Sequence, residues 1–258
     1  MSIGQGTHQG RRFDGRVEDY RRHRPRYPQE ILDILEDKAK LGANSRIADI
    51  AAGTGFFTEL FLEHGNPVTA VEPNAQMRDV CMQLKERYPH LEVVNGTAEA
   101  TGIASHSVDV VAVAQAFHWF DTTAARAEFS RILAPRGWVV IVSNERHLSG
   151  DPFHEGFETL TQRHNVDYCK VTELYPDREA LERFFNPRPM HYHTMPNSQV
   201  LNQEALLGRI LSSSYMPHST DPGYAAMRAD LNDLFSANER DGVVQLNYTC
   251  VLAFGQLS

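Results

Sequence analysis

Apolar positions in the first half of the chain come in two rhythms. Continuous runs at Arg46–Ala51, Val68–Glu72, Leu91–Asn95, Val108–Gln115 and Trp138–Ser143 have no polar face; "VDVVAVAQ" and "WVVIVS" are the clearest. Such runs suit strands covered on both sides, as in a parallel sheet. Between them, apolar residues recur every three or four positions. Pro28–Lys38 carries Ile31, Leu32 and Leu35 on one stripe, and Phe56–His64, Asn74–Arg87 and Thr122–Leu133 follow the same spacing. These predict helices. Asp121 or Thr122 caps the last of them, and "APRG", Ala134–Gly137, ends it with a proline and a glycine. Strand and helix alternate, so the predicted fold is α/β with a doubly wound, mostly parallel sheet.

The rhythm changes after Asn144. Residues 151–185 and 203–238 read as helical, with a strand at Met190–Met195 between them. The last segment alternates strictly: Val244, Leu246, Tyr248, Cys250, Leu252 and Phe254 share one face. Period-two alternation predicts a final antiparallel strand. The picture is five parallel strands, a helical insertion, and a strand pair whose last member runs backwards.

Ligands of open α/β sheets bind beyond the carboxyl ends of the strands, so the residues there carry the candidate chemistry. The first strand ends in Asp49-Ile-Ala51-Ala52-Gly53-Thr-Gly55. Its glycines let the backbone approach a ligand, and the next helix offers unpaired N–H groups. The dinucleotide pattern G-x-G-x-x-G is not met: counted from Gly53 its third glycine falls on Thr58, and counted from Ala51 its first glycine is already absent. The second strand ends in Glu72-Pro73-Asn74. A carboxylate there accepts hydrogen bonds from the vicinal hydroxyls of a ribose and repels a 2′-phosphate; the alternative is a plain helix cap. The fourth strand runs into Gln115-Ala-Phe-His118-Trp119-Phe120-Asp121.

Composition narrows the class. The net charge of −8 disfavours a nucleic-acid-binding body. The N-terminal segment runs against it, with Arg11, Arg12, Arg16, Arg21, Arg22, Arg24 and Arg26 close together. They make either a solvated tail or a basic arm that closes over an anionic ligand. Cys81, Cys169 and Cys250 are few and scattered, which predicts neither a disulfide framework nor a zinc cluster. His191 and His193 have the spacing to share a metal, with no third ligand in the pattern, so no metal is expected. There is no membrane-length apolar run and no signal-like start, and the expected setting is cytoplasmic.

Taken together, "DIAAGTG", "AVEPNAQM", "NGTAEA", "VDVVAVAQAFHWFD" and "RILAPRGWVVIV" resemble, in order and spacing, the class I S-adenosylmethionine-dependent methyltransferases, most closely the type 11 small-molecule branch. The resemblance is strong over about residues 12–144 and implies a seven-stranded Rossmann-like sheet. It implies S-adenosylmethionine as cofactor, with the backbone around Ala51, Ala52 and Gly53 bordering the methionine moiety, Glu72 holding the ribose, Met77, Thr97 and Ala98 at the adenine, and Asp49, Gly55 and Pro73 also among the cofactor-binding residues. Gln115 falls near the methionine end. Ala51 stands where the family has glycine, an exchange that suits a negative φ. "FDGRVEDYRRHRPRYP" also resembles this branch and implies that Tyr20 covers the sulfonium region and Arg24 pairs with the cofactor carboxylate.

The implied activity is methyl transfer to a small-molecule acceptor, with a carboxylate among the candidates because "AQAFHWFD" is similar to the branch that includes aconitate methyltransferases. His118 is then either a catalytic base or, with Trp119, an acceptor-positioning residue. The expected organisation is an arm over 1–27 and one domain over 28–258, with a helical acceptor-side insertion within 145–240. Alternatives left open are a binding module without turnover, a nicotinamide oxidoreductase, and an RNA methyltransferase resting on the arginines alone.

Overall fold

The computed structural model describes residues 16–165 and 176–258. Arg11, Arg12, Cys169 and the middle of the helical stretch expected over 151–185 lie outside the described residues. A short helix, α1 (Val17–His23), precedes α2 (Glu30–Ala39). The alternating part follows: β1 (Ile47–Ile50), α3 (Phe56–His64), β2 (Val68–Val71), α4 (Ala75–Met82), β3 (Glu92–Val94), β4 (Val108–Ala114), α5 (Thr122–Ile132) and β5 (Leu133–Arg146). The second half contributes α6 (Pro152–His164), α7 (Arg178–Phe185), β6 (Met190–Leu201), α8 (Gln203–Leu211), α9 (Tyr224–Asn238) and β7 (Val244–Gly255).

The seven strands form one sheet in the order β3-β2-β1-β4-β5-β7-β6. β1 pairs parallel to both β2 and β4, and β7 runs antiparallel to both β5 and β6. The strand order therefore reverses direction between β1 and β4, and the crevice this opens at their carboxyl ends is where ligands of such sheets bind. One face of the sheet buries Ile47, Ala70, Ala112, Val140 and Leu252 under α2 and α3. The other buries Ile50, Val111, Val139 and Ala253 under α5 and α7. A third cluster joins Phe153, Phe157, Leu206, Ile210, Leu231 and Phe235 of the insertion helices to Leu246 and Tyr248 of β7.

Local signals explain most boundaries. Asn74 caps α4 by accepting from the Met77 N–H at 3.0 Å, and Asp121 caps α5 from the Thr123 and Ala124 N–H groups. The helix expected over Asn74–Arg87 loosens into a 3-10 turn at Gln83–Glu86. β6 continues past the expected end at Met195, through Pro196 to Leu201. It is an edge strand, where a residue without an N–H is tolerated. β7 alternates in burial only in its first half; from Cys250 to Gly255 both faces are covered. There α7 lies over the face that the pattern left open, with Leu181 and Phe185 against Ala253.

Where it is described, the arginine-rich segment is tied to the rest of the chain, with Arg21, Arg22 and Arg26 exposed and Arg16 buried. Arg16 is buried and donates to three backbone carbonyls at and beyond the end of α8: Leu211 at 2.8 Å, Ser213 at 3.0 Å and Met216 at 2.6 Å. Arg21 donates to Gln83, Arg22 to Glu18 and Arg26 to Glu59. The His23 ring occupies the space a side chain at Gly208 would need, so α1 lies directly on the α8 backbone.

Ala51 does not have the negative φ expected of an alanine in that turn; its φ is +55°. The chain must turn left-handed here so that the Ala52 N–H reaches the Val71 carbonyl at 3.1 Å. A left-handed alanine costs about 1–2 kcal/mol, of which glycine's extra unfolded-state entropy offsets up to about 1 kcal/mol. Ala51→Gly is therefore expected to raise the melting temperature by about 1–3 °C. Thermal unfolding followed by circular dichroism checks this, and a lowered midpoint would contradict the strain.

Candidate active site

The crevice starts from the turn after β1. Gly53 and Gly55 have φ values of +59° and +93°, which an L side chain adopts only under strain. Gly55 has a second reason to be glycine: an added Cβ would lie 2.6 Å from Leu84 Cδ1 and 3.1 Å from Cys81 Sγ. Its absence lets α3 start hard against α4. At Gly53 the nearest atom would be Met77 Sδ at 3.7 Å, so conformation rather than space demands glycine there.

Two buried carboxylates hold this turn. Glu72 Oε2 accepts from the Gly53 N–H and Oε1 from the Asn74 N–H, both at 2.8 Å. One side chain thus ties the turn after β1 to the turn after β2. Burial raises its pKa, opposed by those two N–H groups. A carboxylate has about four lone-pair positions, so each oxygen keeps capacity for a further donor. Asp49 sits beneath the turn, and its Oδ2 accepts the Thr58 hydroxyl at 2.6 Å. Burial drives its pKa up to about 7, with the nearby Glu72 adding to the rise and the Thr58 hydroxyl opposing it.

Among the described residues, three buried side-chain polar atoms have no hydrogen-bond partner: Asp49 Oδ1, Thr54 Oγ1 and Arg24 Nε. Such atoms are rare in folded proteins because each forfeits its hydration. Two of the three are an acid acceptor and a guanidinium donor, a pair suited to a zwitterion.

Arg24, Tyr20 and Gln115 meet in a cavity of about 280 Å³. Its walls also include Tyr27, Phe56, Arg146, Arg209 and Tyr215. The Tyr20 ring stacks on Phe56 at 6.1 Å, and the Arg24 guanidinium lies over Tyr20 and donates to the Ser212 carbonyl at 2.9 Å. Of the described arginines of the segment, Arg24 alone lines this cavity. Gln115 closes β4 with a φ of +57° and donates from Nε2 to the Asn144 carbonyl at 3.1 Å.

Other predicted residues lie around this centre rather than in the cavity wall. Met77 is buried beside the glycine turn, and Ala98 is buried next to an exposed Thr97. Pro73 is exposed, its carbonyl bound by Arg78. His118 and Trp119 form a short 3-10 turn, their rings 4.6 Å apart. His118 faces a different hollow, shared with Phe120, Arg126 and Phe184, and burial lowers its pKa to about 4. His191 and His193 both stack on Phe254, and among the described residues no cluster of three or more His, Cys, Asp or Glu could hold a metal. Sequence reading missed Tyr27, Arg146, Arg209 and Tyr215, which come to the cavity from far along the chain and belong to no local pattern.

Comparisons with known proteins show the family and the fold. A family model described as a methyltransferase domain, type 11, matches residues 48–141. An uncharacterised methyltransferase of Mycobacterium tuberculosis is 35% identical over 175 residues, which span 60% of this chain and 69% of that protein. The structure of a type II methyltransferase from Anaeromyxobacter dehalogenans superposes with a TM-score of 0.66 at 21% identity, covering 91% of this chain and 98% of that one. A phosphoethanolamine N-methyltransferase of Haemonchus contortus, solved with phosphomonomethylethanolamine and S-adenosylhomocysteine, has a TM-score of 0.56 at 16% identity and covers 100% of this chain and 61% of its own. No helix among the described residues is long and apolar enough to cross a membrane.

The raised pKa of Asp49 sets a pH dependence. Below about pH 4 the group is protonated in both folded and unfolded chains. Between there and its folded value of about 7, the folded protein keeps a proton that the unfolded chain has lost, so this contribution to stability falls as pH rises and levels off above that value. Asp49→Asn removes it. Urea midpoints at pH 5 and pH 8 should drop more for the unaltered protein than for the variant; equal drops would show that Asp49 does not titrate in this range.

Proposed function

The chain belongs to the class I S-adenosylmethionine-dependent methyltransferases, type 11 branch, and on that premise we propose that it binds S-adenosylmethionine at the turn after β1 and methylates a small-molecule acceptor in the adjoining cavity. The observation that carries this reading is the pair of opposite orphans, Asp49 Oδ1 beneath the glycine turn and Arg24 Nε at the cavity wall. The amino-acid end of the cofactor is a zwitterion and satisfies both.

In this reading Asp49 faces the ammonium group and Arg24 the carboxylate. Glu72 takes the ribose hydroxyls with the lone pairs its two N–H bonds leave. Ala51, Ala52, Gly53 and Gly55 let the backbone pass close to the methionine moiety. Met77, Thr97 and Ala98 border the adenine, with Pro73 beside the ribose. Tyr20, stacked on Phe56, shields the sulfonium region, and Gln115 lies near the methionine end. When bound, the cofactor supplies an electrophilic methyl group. The residues around it orient the acceptor in line and exclude water. Residues 1–27 act as an arm over one domain of 28–258, and the insertion within 145–240 forms the acceptor side.

A carboxylate is the acceptor class that these features favour. It needs no proton removed at neutral pH, and His118, with a pKa of about 4, is a poor proton acceptor there. His118 also shares a small cleft with Gln115, which lines the cavity, and from there His118 and Trp119 position the acceptor. Engagement of the described arginines within the chain counts against an RNA acceptor. The free thiols of Cys81 and Cys250 support a reducing, cytoplasmic setting.

Glu72→Ala should weaken S-adenosylmethionine binding about ten- to a hundredfold, since hydrogen bonds to a charged group contribute roughly 1.5–3 kcal/mol. Titration calorimetry, with circular dichroism to verify folding, measures it; unchanged affinity removes the ribose assignment. With an acceptor in hand, His118→Asn should raise KM several-fold and leave the pH–rate profile between pH 6 and 9 unaltered. A lost ionisation in that range would make His118 a base instead.

A further inference from the structure

We propose that Tyr27 binds the methyl acceptor, its phenol O–H donating to the carboxylate oxygen that does not receive the methyl. The inference rests on the methyltransferase reading above and names a residue that touches the reacting group.

Tyr27 lies in the connection between α1 and α2, in the stretch Pro25-Arg26-Tyr27-Pro28. The proline after it disfavours a helical backbone at Tyr27. The Arg26 carbonyl before it accepts from Asn197 Nδ2 at 2.8 Å, and the Arg26 side chain reaches Glu59 on α3. The ring is held as well. It meets Phe57 edge-on, with centroids 4.9 Å apart, and packs on the core that α2 and α3 cover. With backbone and ring both fixed, the hydroxyl keeps one place. Tyr27 lines the cavity that Tyr20, Arg24 and Gln115 share. Its hydroxyl makes no hydrogen bond with another described residue and is not one of the three sealed orphan atoms, so a molecule in the cavity can reach it.

Tyrosine hydroxyls withdrawn from bulk water usually find a partner. Tyr248 shows that outcome: its hydroxyl donates to Gln199 Oε1 at 2.7 Å and accepts from Arg209 Nε at 3.0 Å. The surroundings of Tyr27 define what its hydroxyl takes instead. Burial raises its pKa well above the usual tyrosine value, with Tyr20, Asp49 and Cys250 adding to the rise and Arg24 opposing it. The group therefore remains a phenol and serves as a donor. Asp49 and Arg24 are assigned to the two charges of the cofactor's amino-acid end, and Tyr20 to the sulfonium region. The phenol thus stands among the residues that surround the departing methyl, where the acceptor oxygen has to arrive. A neutral donor suits that place. A cation paired with the carboxylate would draw charge from the attacking oxygen, whereas one hydrogen bond to the other oxygen orients the group and leaves most of its charge. Tyr27 keeps its own proton, so no proton step is assigned to it.

The test compares the full chain with Tyr27→Phe, which removes the hydroxyl and keeps the ring, both saturated with S-adenosylhomocysteine. Thermal shifts are titrated with acetate, benzoate and succinate, each against its neutral amide at matched ionic strength. At least one carboxylate should stabilise the unaltered protein more than its amide does, and Tyr27→Phe should weaken that carboxylate by about tenfold or more. S-adenosylhomocysteine affinity, measured by calorimetry, should not change. Without any ligand the variant should melt no lower than the unaltered chain, because the hydroxyl has no hydrogen bond to lose. A lower midpoint marks a structural hydrogen bond and overturns the proposal. No carboxylate preference in the unaltered protein, or a preference that survives in Tyr27→Phe, overturns it too. Weaker S-adenosylhomocysteine binding by the variant gives the hydroxyl to the cofactor instead of the acceptor, which is a third way for it to fail. Failure of S-adenosylhomocysteine to bind the unaltered protein overturns the cofactor reading beneath, and is seen before any acid is added.

Discussion

The Glu72 carboxylate, accepting the Gly53 N–H with one oxygen and the Asn74 N–H with the other, joins the two turns from which the site is built. Burying a carboxylate is costly, and two charge-assisted bonds to backbone donors offset much of that cost. The result is more than local. Gly53 belongs to the turn after β1, and Asn74 caps α4 after β2. Fixing one against the other sets where α3 and α4 begin, and Gly55 then allows the two helices to meet closely. The floor of the crevice is thus rigid before any ligand arrives, which is the condition for binding energy to go into orientation rather than ordering.

A second set of contacts brings the roof to that floor. Arg16 gathers the carbonyls beyond α8, His23 packs on Gly208, and Arg26 reaches Glu59 on α3. The arm is therefore bound at once to the insertion and to the first helix of the alternating fold. Tyr20 and Arg24 owe their places in the cavity to these anchors. Since Arg24 and Arg16 grip the same turn, movement of the arm and movement of α8 are linked.

Electrostatics divides the crevice into regions with different chemistry. The acidic side lies at Asp49 and Glu72, both raised in pKa by burial, with the Glu72 charge adding to the rise at Asp49. The basic side is the cavity wall of Arg24, Arg146 and Arg209. A ligand carrying both signs of charge lowers the cost of each side. His118, uncharged at neutral pH, lines a separate hollow of mixed polar and aromatic residues.

What the sequence by itself determined is what short-range physics encodes. Apolar runs marked the strands, three- and four-residue spacing marked α2 to α5, and Asn74 and Asp121 announced their caps. Gly53, Gly55 and Glu72 were legible because turn geometry and strand-end chemistry each act over a few residues. Tertiary structure decided the rest. The positive φ of Ala51 follows from a hydrogen bond to Val71 across the sheet, which no local propensity reports. The second buried face of β7 depends on α7, and the tolerance of Pro196 on β6 lying at the edge. The arginine run of the N-terminal segment looked like one basic feature, yet Arg16, Arg21, Arg24 and Arg26 go to separate partners distant in sequence, and Arg22 pairs with Glu18 on its own helix. Arg146, Arg209 and Tyr215 are ordinary residues in their own segments. They come together only because the sheet, the arm and the insertion bring their side chains to one cavity.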